Sequence, residues 1–308
     1  MGLRPAIAVA PQGVRSWLAD AAVEGGAALV DLADAEGLVW AEPAAAGALA
    51  DLLDAEASGV RWVQLPWAGV EPYVEVMRAH AHLLWTCGKG VYAEPVAEHA
   101  LALLLGGLRG VGRYARQTAW SEPYGTNLLG AKVVIVGGGG IAESLLRLLG
   151  PFGAAVTVVR RHPRAMNGAA SVVGVEELDR ALDGAVGVVL ALALTPETDG
   201  IIGATQLAAM HERGWIVNVA RGAHIVVDDL LVVLDSGTIG GAALDVTDPE
   251  PLPSGHPLWG RPDVIITPHV ANTPEMAVPL LAGRIAANVA RWAAGDELLG
   301  RVDPDLGY

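Results

Sequence analysis

Lys132-Val133-Val134-Ile135-Val136-Gly137-Gly138-Gly139-Gly140-Ile141-Ala142 is the stretch on which the reading of the fold turns. The β-branched run Val133 to Val136 suits a buried strand, the glycines break it, and Ser144 to Leu149 continues at helical spacing. Strand, glycine turn and helix in that order make a phosphate cradle. Gly137 permits the tight turn, Gly139 lets the backbone approach a pyrophosphate, and the small Ala142 lets the helix pack close to the strand. The helix N–H groups, with Gly140 and Ile141 at its start, then face the phosphates. Four glycines could equally form a flexible turn. The flanking strand and helix decide for a dinucleotide site.

The next strand, Val156 to Val159, ends about twenty positions beyond the first glycine, where an NAD site carries an acid for the ribose 2′-hydroxyl. Here the residue is Arg160, followed by Arg161 and then Arg164, with no carboxylate nearby in the sequence. Guanidinium groups in that place suit a 2′-phosphate, because charge-assisted bidentate contacts hold a dianion well. NADP(H) is therefore expected over NAD(H), which stays possible. The competing reading is a solvated basic loop.

Outward from this unit, short apolar runs alternate with helical segments along the whole chain. Before it come Ala6 to Ala10, Ala28 to Leu32, Leu38 to Ala41, Arg61 to Leu65 and Leu83 to Thr86, with helices at Ala46 to Ala57 and Pro72 to Ala81. A long helix is expected from Pro95 to about Ala119. After it, strands are expected at Lys132 to Val136, Val156 to Val159, Gly187 to Leu192, Trp215 to Val219, Gly241 to Val246 and Val264 to Thr267. Met276, Leu280, Ile285, Val289 and Trp292 then follow helical spacing. Such alternation forces crossover connections, so the expected class is α/β with two doubly wound parallel-sheet domains.

Composition narrows the function. The 308 residues exceed one average domain, and 52% hydrophobic against 18% charged residues oppose disorder. A net charge of −14 repels phosphate backbones, so no nucleic-acid partner is expected. One cysteine, Cys87, cannot make an internal disulfide, which fits a reducing, cytoplasmic setting. Met1 to Pro11 reads as a first strand rather than a signal peptide, and runs such as Ala97 to Leu105, interrupted by His99, are too short to cross a membrane. His80 and His82 stand two apart, which on a helix splays them, so no metal site is expected.

In a doubly wound sheet ligands bind beyond the carboxyl ends of the strands. Trp215 to Ala220 leads there to Arg221-Gly222, Gly241 to Leu244 to Asp245 and then Glu250, and Val264 to Pro268 to His269. An arginine, two carboxylates and a histidine converge on one edge.

These residues carry a resemblance. Asn218-Val219-Ala220-Arg221-Gly222, Leu244-Asp245-Val246 through Glu250-Pro251-Leu252-Pro253, and Thr267-Pro268-His269 resemble, in order and spacing, the signatures of the D-isomer-specific 2-hydroxyacid dehydrogenases. So do Leu194-Thr195-Pro196-Glu197-Thr198, His256-Pro257-Leu258-Trp259, Ala97-Glu98 and the ending Val302 to Tyr308. The likeness runs from about Gln64 to the end, and the earlier residues match in architecture alone. It implies a Rossmann cofactor domain (95–274) inserted into a flavodoxin-like substrate domain (1–94 plus 275–308), with a hinge near Glu94-Pro95 and Asn272 to Pro274.

By matching position, the family's catalytic arginine, acid and histidine are Arg221, Glu250 and His269. Arg221 would clamp the carboxylate and carbonyl of a 2-oxo acid, His269 would donate the proton, and Glu250 would orient the ring and hold its proton. Thr195, Ala220, Arg221, Asp245 and His269 would also line the cofactor, Asp245 near the carboxamide. Gln64 to Val70 resembles the substrate loop, giving Trp67, Ala68 and Gly69 as substrate contacts beside Arg221 and His269. Lys89 lies near the same cleft by analogy. Within the family the chain looks closest to the glyoxylate and hydroxypyruvate reductases, as a homodimer built on the cofactor domain. A phosphoglycerate dehydrogenase-like enzyme and a corepressor-like dinucleotide sensor are the alternatives.

Overall fold

The computed structural model describes residues 4–43, 45–57 and 59–306; Met1–Leu3 of the expected first strand and Gly307 and Tyr308 of the family-like ending lie outside the described residues. The chain divides into two compact units, Met1–Tyr92 with Thr273–Tyr308, and Ala93–Asn272.

The first unit contains β1 (Ala6–Ala10), α1 (Trp17–Glu24), β2 (Ala28–Leu29), β3 (Gly37–Trp40), α2 (Ala46–Glu56), β4 (Trp62–Gln64), α3 (Val74–Ala79) and β5 (Leu84–Thr86). The strands are parallel in the order β2-β1-β3-β4-β5, with Leu38 paired to Val63 and Val63 to Trp85. Burial on both faces explains why β3 reads as an unbroken apolar run. Leu18 and Ala22 of α1 pack with Leu281, Ile285 and Val289 of the C-terminal helix (Pro274–Ala294) against one face. Leu49, Leu53 and Met77 cover the other. Pro274 opens that last helix after an extended Thr273, and Gly295, at a φ of 73°, closes it.

Two expectations change in this unit. The run expected at Ala28 to Leu32 forms a two-residue strand, because the chain turns into a single 3-10 turn at Leu32–Asp34. The helix expected from Pro72 to Ala81 spans only Val74–Ala79, so His80 and His82 do not share it, and their rings approach to 6.1 Å instead of splaying. His80 bonds the Val76 carbonyl and Asp54.

The second unit opens with α4 (Ala93–Leu108) and α5 (Val111–Ala115), then runs through β6 (Lys132–Val136), α6 (Gly140–Leu149), β7 (Ala155–Val159), β8 (Ser171–Val173), α7 (Leu178–Leu182), β9 (Gly187–Leu190), α8 (Ala204–Ala209), β10 (Trp215–Asn218), α9 (Val227–Asp235), β11 (Gly241–Leu244) and β12 (Val264–Ile266). All strands are parallel, in the order β12-β11-β10-β9-β6-β7-β8. Strand order reverses about β6, which pairs with β7 on one side and β9 on the other, and that switch point is where a doubly wound sheet opens a ligand crevice.

Here the sheet has seven strands where six were expected, the additional one being the partly exposed edge strand β8. The helix expected to reach Ala119 stops at Leu108, since Gly110 takes a left-handed φ of 62°; after α5 the segment 116–128 holds no helix or strand. Gly107 lies inside α4 for a packing reason. A Cβ there would meet the Trp215 ring at 2.2 Å, so glycine lets α4 settle directly on β10.

Candidate active site

The glycine turn follows β6, and each glycine in it meets a different demand. Gly137 has a φ of 116°, and a Cβ on it would fall 2.1 Å from the Ala191 carbonyl oxygen beyond β9. Nothing lies within 4 Å of a Cβ built on Gly139, so its backbone faces open space. Gly139 is the extended residue before α6, and no side chain caps that helix, which leaves its first N–H groups to a ligand. Ala142 is fully buried against the sheet. An uncapped helix start beside an open glycine backbone at the switch point fits a pyrophosphate.

Gly138 has a further role that the G-x-G-x-x-A pattern does not contain. A Cβ there would meet Arg160 Cδ at 2.7 Å, so the stem of Arg160 lies over the glycine backbone. Arg160 reaches Met166 Sδ at 3.7 Å, and the exposed Arg161 pairs with Glu197 at 3.4 Å. The sequence around the basic pair holds no carboxylate, and the fold brings one from a distant loop. Glu197 comes from the loop after β9, and Thr195 Oγ1 donates to it at 2.7 Å; that bond above all lowers the Glu197 pKa. A 2′-phosphate at Arg161 has to share the guanidinium with this acid.

Three adjacent strands, β10, β11 and β12, deliver the remaining polar groups at one level, since Asn218 registers with Leu244 and Leu244 with Ile266. Parallel neighbours stand about 4.8 Å apart, so the residues beyond β10 and β12 are laterally about 10 Å from each other, with β11 between them. Arg221 follows β10. Its turn is fixed by Asn218, whose Nδ2 donates to the Arg221 carbonyl at 2.8 Å while its Oδ1 accepts from the buried Ala220 amide at 3.0 Å. Gly222 completes the motif because a Cβ there would strike the Thr247 backbone at 2.0 Å, so the Arg221 turn lies directly against the segment leading to Glu250.

His269 follows β12 with a φ of 53°, a left-handed conformation uncommon for a histidine. Its Nδ1 lies 2.7 Å from Glu250 Oε1. A carboxylate only accepts, so Nδ1 carries the hydrogen and Nε2 is left for a ligand, with no protein partner among the described residues. The pair is about half exposed, at 52% and 44% of the side chains.

Asp245, after β11, is 2% exposed. Burial alone would raise its pKa, yet hydrogen bonds from His99, Thr267 and the amides of Val270 and Ala271 outweigh that and bring it to about 2. Two histidines that sequence reading passed over stand beside this edge. His224, fully buried in the turn after Arg221, holds Nδ1 2.9 Å from the Thr198 carbonyl and Nε2 3.3 Å from that of Leu192, and burial pushes its pKa down. It ties the Arg221 turn to the Thr195 loop. The other is His99, on α4.

Trp67, Ala68 and Gly69 belong to the first unit, in the loop after β4. Trp67 lies under the Arg15 guanidinium at 4.5 Å and beside Tyr92, with ring centroids 6.4 Å apart. The buried Cys87 thiol reaches the Ala68 carbonyl at 3.7 Å and thereby braces the loop. Burial, chiefly, raises the Cys87 pKa. Lys89 is exposed in the neighbouring turn, its amide donating to Cys87 Sγ. No helix among the described residues is long and apolar enough to cross a membrane.

The chain is similar to known proteins. A family model, D-isomer specific 2-hydroxyacid dehydrogenase, NAD binding domain, matches residues 100–271. The chain is 32% identical over 287 residues to glyoxylate/hydroxypyruvate reductase A of Photorhabdus laumondii, covering 88% of this chain and 87% of that one. Among solved structures, a D-isomer specific 2-hydroxyacid dehydrogenase from Xanthobacter autotrophicus in complex with NADPH and MES superposes with a TM-score of 0.85 at 26% identity, covering 99% of this chain and 100% of the other. An NADPH-dependent glyoxylate/hydroxypyruvate reductase from Sinorhizobium meliloti in complex with NADP and sulfate gives 0.79 at 27%, with the same coverage.

Proposed function

The chain belongs to the D-isomer specific 2-hydroxyacid dehydrogenase family, and on that premise we propose that it reduces small 2-oxo acids of the glyoxylate and hydroxypyruvate kind to D-2-hydroxy acids with NADPH. The observation that carries this reading is the Glu250–His269 pair, whose Nε2 is left for a ligand on the sheet edge that also presents Arg221 and the glycine turn. The corepressor-like reading gives no account of such a pair.

When bound, NADPH would supply the hydride that reduces the substrate carbonyl. Gly137, Gly139 and the start of α6 at Gly140, Ile141 and Ala142 would hold its pyrophosphate, Arg160 and Arg161 its 2′-phosphate, and Thr195, Ala220 and Asp245 its remaining edge. Arg221 fixes the substrate carboxylate by paired hydrogen bonds and draws charge toward the carbonyl oxygen. His269, as imidazolium, gives its Nε2 proton to that oxygen as the carbonyl becomes a hydroxyl, and Glu250 keeps the ring turned. Atoms balance: one hydride and one proton convert the 2-oxo acid to its 2-hydroxy acid. By the family resemblance, Trp67, Ala68 and Gly69 are assigned as contacts of the substrate carboxylate and its surroundings.

The reading extends to a homodimer in the cytoplasm. Val111, the fully exposed Trp120 and Leu129 present apolar side chains along α5 and the segment after it, and the one cysteine is a buried thiol.

The test is NADPH oxidation with glyoxylate, hydroxypyruvate, pyruvate, phenylpyruvate and branched 2-oxo acids. Turnover led by the two smallest polar acids supports the proposal. NADPH binding without turnover on any acid would transfer the protein to the sensor class.

A further inference from the structure

His269 holds a left-handed backbone, and its position therefore depends on whatever fixes the residues around it. Among the described residues, the anchor is Asp245. The His269 amide donates to the Asp245 carbonyl at 2.8 Å, and the next two amides, of Val270 and Ala271, donate to Oδ1 and Oδ2 of its carboxylate at 2.9 and 3.0 Å. Asp245 thus grips three consecutive amides of the loop that carries the imidazole.

Behind that carboxylate stands a second layer. Thr267 Oγ1 lies 2.6 Å from Asp245 Oδ1, a length that suits a hydroxyl donating to an anion. Its hydrogen being committed there, the Thr267 oxygen can only accept from His99 Nε2, 3.1 Å away. The same Nε2 is 3.3 Å from Asp245 Oδ1. The partners therefore assign the hydrogen to Nε2, and a directed chain runs from His99 on α4, through Thr267 at the end of β12, to Asp245 at the end of β11. The interior of a helix has no local need for a histidine, and His99 makes these contacts across 168 residues of sequence.

We propose that His99, acting through Thr267 and the Asp245 carboxylate, is a positioning residue that sets the loop of the proton donor His269. The inference rests on the reading of His269 as that donor. It adds a helix to the working parts of the site, and makes Thr267 more than a strand end. A missing donor at residue 99 leaves the Thr267 oxygen with no hydrogen bond to accept, and the buried anion with one stabilising contact fewer.

The test uses the whole protein and four variants, His99→Leu, His99→Gln, Thr267→Val and Thr267→Ser. Glutamine keeps an amide nitrogen near the imidazole Nε2, and serine keeps the hydroxyl. Small misplacement of a reacting group is costly, so His99→Leu and Thr267→Val should lower kcat on the best 2-oxo acid on the order of tenfold or more, with NADPH affinity within about twofold. His99→Gln and Thr267→Ser should recover most of that loss. Amide hydrogen exchange at Val270 and Ala271, read by mass spectrometry or NMR, should quicken in the two disruptive variants and return in the conservative ones.

Exchange reads the network whether or not the enzyme turns over any acid in the panel, so failure of the functional reading leaves this measurement intact. Unchanged exchange at both amides in folded His99→Leu and Thr267→Val overturns the inference. So does a kcat equal to wild type despite faster exchange, because the loop would then move without consequence. Losses confined to KM, or not recovered by glutamine and serine, contradict it as well.

Discussion

His269 is the residue on which the chemistry concentrates, and its replacement should separate binding from turnover. His269→Ala is expected to cut 2-oxo acid reduction on the order of 10² or more while NADPH titration by fluorescence stays close to wild type. Asp245 makes a prediction about acid. Its folded pKa, about 2, lies below the ordinary 3.8, so the stability it contributes is fully present above about pH 4 and is lost as pH falls through about 2. The shift corresponds to about 2 kcal/mol, and urea unfolding of Asp245→Asn between pH 2 and 5 should show a curve flatter by that amount. Arg221, Glu250 and His269 were legible because each follows an apolar strand in an ordered motif. His224 and His99 were not, because what makes them matter is a carbonyl or a hydroxyl brought from another element.

At the scale of elements, the glycine turn was read from its strand, turn and helix, and its boundaries at Lys132–Val136 and Gly140–Leu149 agree closely with that reading. Gly137→Ala would force a Cβ into the Ala191 carbonyl at an unfavourable φ, so it should destabilise by more than about 1 kcal/mol and weaken NADPH binding. The basic loop after β7 yields a paired prediction. Neutralising Arg160 and Arg161 together should weaken NADPH by about tenfold or more and NADH far less, since charged hydrogen bonds are worth about 1.5–3 kcal/mol. Glu197→Gln should act in the opposite direction, tightening NADPH, because it removes the acid that shares Arg161. That acid was hidden from sequence by the separation of 36 positions between the partners. Strand β8 escaped notice because its three residues, one exposed and two half-buried, carry no clear period, and the end of α4 because the left-handed conformation of Gly110 is a property of the folded backbone.

For the whole molecule, alternation of strand and helix was enough to anticipate two parallel sheets, since crossover connections leave few other solutions. The proposed subunit association depends on a surface, and Trp120 is exposed there because α4 ends at Leu108. Sedimentation should give a dimer for the native chain, and Trp120→Ser with Leu129→Ser should shift it toward monomer. The central claim, that a hydride and the His269 proton are delivered to a 2-oxo acid, is tested most directly by chiral analysis of the product from hydroxypyruvate. One D-glycerate formed for each NADPH oxidised, and none with His269→Ala, is the expected result. L-glycerate, a racemate, or no NADPH oxidation by the wild-type protein would contradict it.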